Sequence, residues 1–147
     1  MTDNDVATLL MEVVPLVMSF IRTEMRHRRM PGLSIPQLRT LVFLYRNQDV
    51  MLSQVAERIG LKLPSTSKLV DSLVERKLVI RSVSPDDRRC NRLKLSPNGL
   101  AEMVRARRST GVILVKKLAT LTPEQQDRIA TALLDLRPLF TAGRKEQ

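Results

Sequence analysis

The sequence of 147 residues predicts a mainly α protein with a small β-wing. Three observations carry that prediction. Apolar residues recur at three- and four-residue spacing over most of the chain, as amphipathic helices require. Two short helical stretches, residues 53–59 and 64–76, are joined by a link of only four residues, 60–63. A strand–turn–strand pattern follows, L-V-I-R-S-V over 78–83 and N-R-L-K-L over 91–95. Helix, tight turn, helix and hairpin in that order make a winged helix-turn-helix.

Each element has a local reason. Thr2, Asp3, Asn4 and Asp5 offer an N-cap and acids for a helix start. Leu9, Leu10, Val13, Val14, Val17, Phe20 and Ile21 then mark an amphipathic helix, and Met11, Leu16 and Met18 widen its stripe. A helix this apolar needs two partners, its own domain and a second subunit. Pro15 inside it predicts a kink or a late start. The basic run from Arg22 to Arg29 reads as cations at the helix C-terminus, solvated. Met30, Pro31 and Gly32 break the chain. Ser34 and Gln37 form a capping box with Pro36 in the first turn, and Leu38, Leu41, Val42, Leu44 and Tyr45 carry a second helix. Val50, Met51 and Leu52 predict a short edge strand, and Ser53 is expected to cap the next helix. Gly60 suits the left-handed end of that helix, and Pro64 is tolerated where the following one starts.

After the hairpin, Ser96 and Pro97 open a long helix with Gly111 in its middle, where glycine costs about 1 kcal/mol relative to alanine. Thr122 and Gln125 form a second capping box. Ile129, Leu133, Leu136 and Phe140 make the last apolar stripe, and Pro138 predicts a bend or a stop. Residues 143–147 are expected to fray.

The helix over 64–76 points to DNA. Leu69, Val70, Leu73 and Val74 fall on one side of a helical wheel, with Thr66 among them. They are expected to pack on Val55, Ala56 and Ile59. Ser65, Ser67, Lys68, Asp71, Ser72 and Glu75 fall on the other side. Small hydroxyls let a helix sit deep in the major groove and can bond base edges or phosphates. Ser65, Ser67, Lys68 and Ser72 are therefore the candidate contacts on this helix. An ordinary solvated face would favour longer Glu, Lys and Arg. The hairpin strengthens the case. From Arg76 to Lys94 stand seven basic residues against two acids, a local charge of +5 within a chain total of +10. Its turn, residues 84–89, carries Asp86, Asp87, Arg88 and Arg89.

Composition sets the remaining bounds. Apolar residues make up 43% of the chain and aromatics 3%, so the core is aliphatic and rich in Met. A pI of about 10.8 favours an anionic partner. No apolar run is expected to be long enough to span a bilayer, no secretory signal is expected at the start of the chain, and a cytoplasmic protein is expected. Cys90 is the single cysteine, read as a small residue at the wing base rather than a redox thiol, and His27 has no companions at ligand spacing. No metal, cofactor or catalytic constellation is expected, so an enzyme is a poor reading.

The run D-R-R-C-N-R-L-K-L-S-P-N-G after L-V-E-R-K-L-V-I-R resembles the multiple-antibiotic-resistance regulator (MarR) family. Asp87 and Arg89 match its Asp-x-Arg wing signature, and Leu95, Ser96 and Gly99 match its helix start. The resemblance implies that Arg89 reaches into a minor groove and Asp87 braces it, with Arg88 between them in the DNA-facing set. Two positions depart from the pattern: Lys77 replaces a helix-ending Gly, and Thr66 an aliphatic residue. Lys77 must turn left-handed at a cost of roughly 1 kcal/mol, or the helix must end differently. Residues 34–95 would be the DNA-binding unit of a single domain over 1–147. Residues 4–29 and 97–140 would supply dimerisation helices. The implied function is a homodimeric repressor on a near-palindromic operator, its recognition helices about 34 Å apart. A small effector, often an anionic aromatic compound in the family, would change that spacing. The rival reading is an architectural or protein-interaction module without ligand response.

Overall fold

The computed structural model describes residues 1–83 and 91–141. Helix α1 runs over Asp3–Arg29, α2 over Ile35–Arg46, strand β1 over Val50–Met51, α3 over Leu52–Ile59 and α4 over Leu63–Glu75. Strands β2 (Val79–Val83) and β3 (Asn91–Leu95) precede α5 (Pro97–Leu118) and α6 (Pro123–Thr141). The chain divides into two compact units, Met1–Thr110 and Gly111–Gln147.

The first unit holds the core. Leu38, Leu41 and Leu44 of α2 meet Val55 of α3, Val70 and Leu73 of α4, and Leu93 of β3. Met103 and Ala106 of α5 join them, as do Met25, Met30 and Leu33 around the α1–α2 turn. The core is aliphatic and Met-filled, as the composition requires. The sheet is antiparallel with order β1-β3-β2. Val50 pairs with Leu93 and Val79 with Leu95, so the buried residues of all three strands share one face.

Several helix ends follow from local chemistry. Thr2 and Asp5 close a capping box on α1, and the Thr2 backbone N–H, then its hydroxyl, hold the Asp5 carboxyl below its ordinary pKa. Ser34 and Gln37 do the same for α2, with bonds of 2.9 and 3.2 Å. Gly60 ends α3 in the left-handed region at φ 78°. Lys77 ends α4 there too, at φ 60°. Its N–H donates to the Val74 carbonyl and the Leu78 N–H to the Leu73 carbonyl, the two bonds of a Schellman motif. The lysine thus adopts the costly conformation. Its carbonyl is held by the Ser96 hydroxyl at 2.6 Å and the Asn98 amide at 3.4 Å.

Three expectations need correction. Ser53 does not cap α3. The strand β1 pairs Met51 with Arg92 and gives way at once to the helix, so Leu52 is the first helical residue. The Gln54 side chain accepts from the Met51 N–H at 2.8 Å and serves that end. Pro15 does not delay the start of α1, and Pro138 does not stop α6. Both lie on exposed stretches, where water can reach the carbonyl that a proline leaves without its N–H. Finally, α1 holds an 18-residue stretch with a mean hydropathy of 1.6, so by length and composition alone the helix over Asp3–His27 could cross a membrane.

In the second unit, Thr122 and Gln125 cap α6 reciprocally at 2.9 and 3.2 Å. Gln126 donates to the Leu118 and Leu121 carbonyls and closes the end of α5. No described residue of α6 is buried, and Leu133, Leu134, Leu139 and Phe140 are mostly exposed.

Candidate nucleic-acid interface

Helix α4 buries Thr66, Val70 and Leu73, with Leu69 and Val74 half-buried at the edges. Thr66 can be buried because its hydroxyl donates to the Lys62 carbonyl at 2.9 Å. The opposite face presents Pro64, Ser65, Lys68, Asp71 and Glu75 to solvent. That is the polar face the wheel anticipates.

The four candidates on this helix are not equivalent. Ser65 and Lys68 are exposed and make no hydrogen bond or ion pair among the described residues. Ser67 and Ser72 are half-buried, and their oxygens are engaged. Arg81 of β2 donates from both terminal nitrogens to Ser67 Oγ at 3.2 Å, and Gln37 of α2 donates to Ser72 Oγ at 3.1 Å. Each hydroxyl keeps its own hydrogen to donate outward. Asp87, Arg88 and Arg89, with Cys90 and the rest of the hairpin turn, lie outside the described residues.

Arg81 is the residue that sequence reasoning missed as a site element. Besides Ser67, it pairs with Asp71 Oδ1 at 2.6 Å and donates from Nε to Asn91 Oδ1 at 3.2 Å. One guanidinium therefore joins α4 to both strands of the wing. Arg76, just past α4, donates to the Pro31 carbonyl at 3.0 Å and ties the helix to the α1–α2 turn. Arg92 donates to the Asp49 carbonyl at 3.1 Å, where Asp49 takes φ 62°. Of the five basic residues described between 76 and 94, three thus serve the chain's own acceptors. Lys77 and Lys94 project exposed side chains.

Between the starts of α3 and α4 and the wing lies an open groove of about 350 Å³. Met51, Leu52, Leu63 and Pro64 make its apolar side, and Ser53, Ser67, Arg81 and Asn91 its polar side. The arrangement is an exposed polar helix face, braced at three points and flanked by a basic hairpin. Chemically it can donate hydrogen bonds and positive charge to a polyanion with grooves.

A family model described as "MarR family" matches residues 32–89, the stretch that holds α2, β1, α3, α4 and the first wing strand, β2. YfiV of Bacillus subtilis (strain 168), an uncharacterized HTH-type transcriptional regulator, is 30% identical over 115 residues. That match covers 78% of this chain and 71% of YfiV. Among solved structures, RV1404 from Mycobacterium tuberculosis is similar over 95% of both chains, with a TM-score of 0.76 and 22% identity. Streptococcus pneumoniae FabT, solved in complex with DNA, is similar over 94% of this chain and 96% of its own, with a TM-score of 0.63 and 20% identity. At those identities the two structures share the fold.

Proposed function

The chain belongs to the MarR family of DNA-binding transcription regulators, and from that premise we propose that it is a ligand-responsive repressor acting as a homodimer on a near-palindromic operator. The observation that carries the reading is the outward face of α4, where Ser65 and Lys68 stand exposed without a partner among the described residues, beside a basic wing. In this reading Ser65, Ser67, Lys68 and Ser72 meet the major groove. Arg89, braced by Asp87 and flanked by Arg88, enters the minor groove. FabT is a relative in fold that binds DNA.

The homodimer is supported by what each unit leaves uncovered. On α1, Val6, Leu9, Val13, Val14 and Val17 are 44–49% exposed, and Met11 and Leu16 are 70% exposed. On α6, Leu133 and Phe140 are 62% and 72% exposed. Soluble monomers rarely leave such contiguous apolar surface in water. A second copy pairing residues 4–29 and 97–140 buries it and fixes the spacing of two α4 helices. A small anionic aromatic effector that favours another spacing releases the DNA. The site of action is the cytoplasm.

The test is equilibrium binding over a salt series, with a duplex selected from a randomised pool set against random duplex. Expected is tighter binding to the selected duplex by 10³-fold or more, on the order seen for specific regulators. Equal affinity for both duplexes would favour the architectural reading instead.

A further inference from the structure

We propose that Leu63, with Pro64 beside it, reads the 5-methyl group of a thymine at one position in each operator half-site. The inference deepens the DNA-binding reading of α4 and rests on it. Leu63 is the first residue of α4 and is 52% exposed. The helix core uses Thr66, Val70 and Leu73, so Leu63 is not needed there. Nor does the helix start explain it. Lys62 occupies the cap position, and Pro64 supplies the preset backbone angle that favours a first turn. The remaining exposed residues of the helix beyond Pro64 are Ser65, Lys68, Asp71 and Glu75, all polar. The recognition helix therefore carries an apolar tip and a polar body.

That division fits a particular chemistry. In helix-turn-helix docking, the N-terminal residues of the recognition helix are the ones that reach base edges. In the major groove thymine alone presents a methyl group, and an apolar side chain is its natural partner. Leu63 and Pro64 also line the groove with Met51 and Leu52, so a methyl placed there leaves water for an apolar wall. Further along the helix, Ser65 and Lys68 can bond acceptors on neighbouring bases or phosphates. The groove is thus continuous with the interface rather than a separate site.

The experiment uses the full chain and the duplex it enriches from a randomised pool. Each thymine is replaced singly by deoxyuridine, which removes the methyl and keeps base pairing. Expected is one position per half-site where the replacement raises Kd about three- to fivefold, the scale of one buried methyl group. That penalty should vanish in Leu63→Ala and persist in Leu63→Met, with thermal midpoints unchanged because Leu63 is half exposed. Tolerance of deoxyuridine at every position would overturn the proposal. So would a penalty of the same size in Leu63→Ala and Pro64→Ala. A pool that enriches no sequence is a different outcome, one that removes base reading by α4 altogether and this proposal with it.

Discussion

Replacing Gly99 with alanine should destabilise the protein by about 3–5 kcal/mol, for a reason visible at the junction of wing and α5. Gly99 is the third residue of α5, and its N–H donates to Ser96 Oγ at 2.8 Å. The Ser96 hydroxyl donates to the Lys77 carbonyl at 2.6 Å, and the Ser96 N–H to the Leu78 carbonyl at 3.0 Å. A Cβ at position 99 would fall on the Leu78 carbonyl oxygen, 2.9 Å from its carbon and 3.2 Å from its Cα. These are backbone atoms, so no side chain can swing aside. Comfortable contact needs about 3.5 Å, and the helix start must move accordingly. Overpacking of this kind costs about 1–3 kcal/mol, and two hydrogen bonds worth about 1 kcal/mol each are stretched with it. Against a typical stability of about 5–15 kcal/mol, that is a large fraction. Gly111→Ala is the control. Nothing lies within 4 Å of a Cβ there, and the residue sits inside a helix. It should gain about 0.5–1 kcal/mol. Urea midpoints at fixed protein concentration measure both. Equal midpoints for Gly99→Ala and wild type, or equal losses in both variants, would refute the close-approach argument.

Arg89→Ala should weaken operator binding by roughly 1–3 kcal/mol and leave sedimentation unchanged, with Asp87→Ala doing part of the same. Wild-type affinity in a binding titration would remove Arg89 from the minor groove. Leu133→Glu combined with Leu136→Glu should split or unfold the dimer and abolish binding without touching a DNA contact. The wild type should sediment near twice the 16.7 kDa chain mass, and a clean monomer that still binds a palindrome tightly would overturn the architecture. Lys77→Gly should stabilise by up to about 1 kcal/mol, since φ 60° costs a lysine what it does not cost a glycine. A lower urea midpoint would mean that the lysine side chain itself contributes.

What could be read from the sequence was local. Ser34 with Gln37, and Thr122 with Gln125, announce helix starts because both partners lie within one turn. Thr66 falls in the buried arc because wheel position alone decides it. The α3 start was misread because Met51 is claimed by a strand partner, Arg92, far away in sequence. The same limit applies to the candidate site. Nothing in the order of residues tells that Arg81 leans from β2 onto Ser67 and Asp71, ten and more positions back. Nor does it tell that Gln37 caps α2 and also reaches Ser72. The count of basic residues in the wing was legible, but not how many of them the fold itself uses.

That division of charge can be measured. A cation that meets a phosphate releases counterions, so removing it lowers the slope of log Kd against log salt by about one unit. Lys68 is exposed at the centre of the α4 polar face and makes no ion pair among the described residues. Lys68→Ala should therefore weaken binding and flatten the slope by that unit. Arg81 differs in kind. Its charge is already matched by Asp71 at 2.6 Å, and its side chain is only 21% exposed. The variant Arg81→Gln should weaken binding because α4 and the wing lose their common strut. It should also lower the urea midpoint and change the salt slope less than Lys68→Ala does. An unaltered slope together with unaltered specificity in Lys68→Ala would take Lys68 out of the interface. A slope flattened by a full unit in Arg81→Gln, with stability intact, would make Arg81 a phosphate ligand rather than a brace.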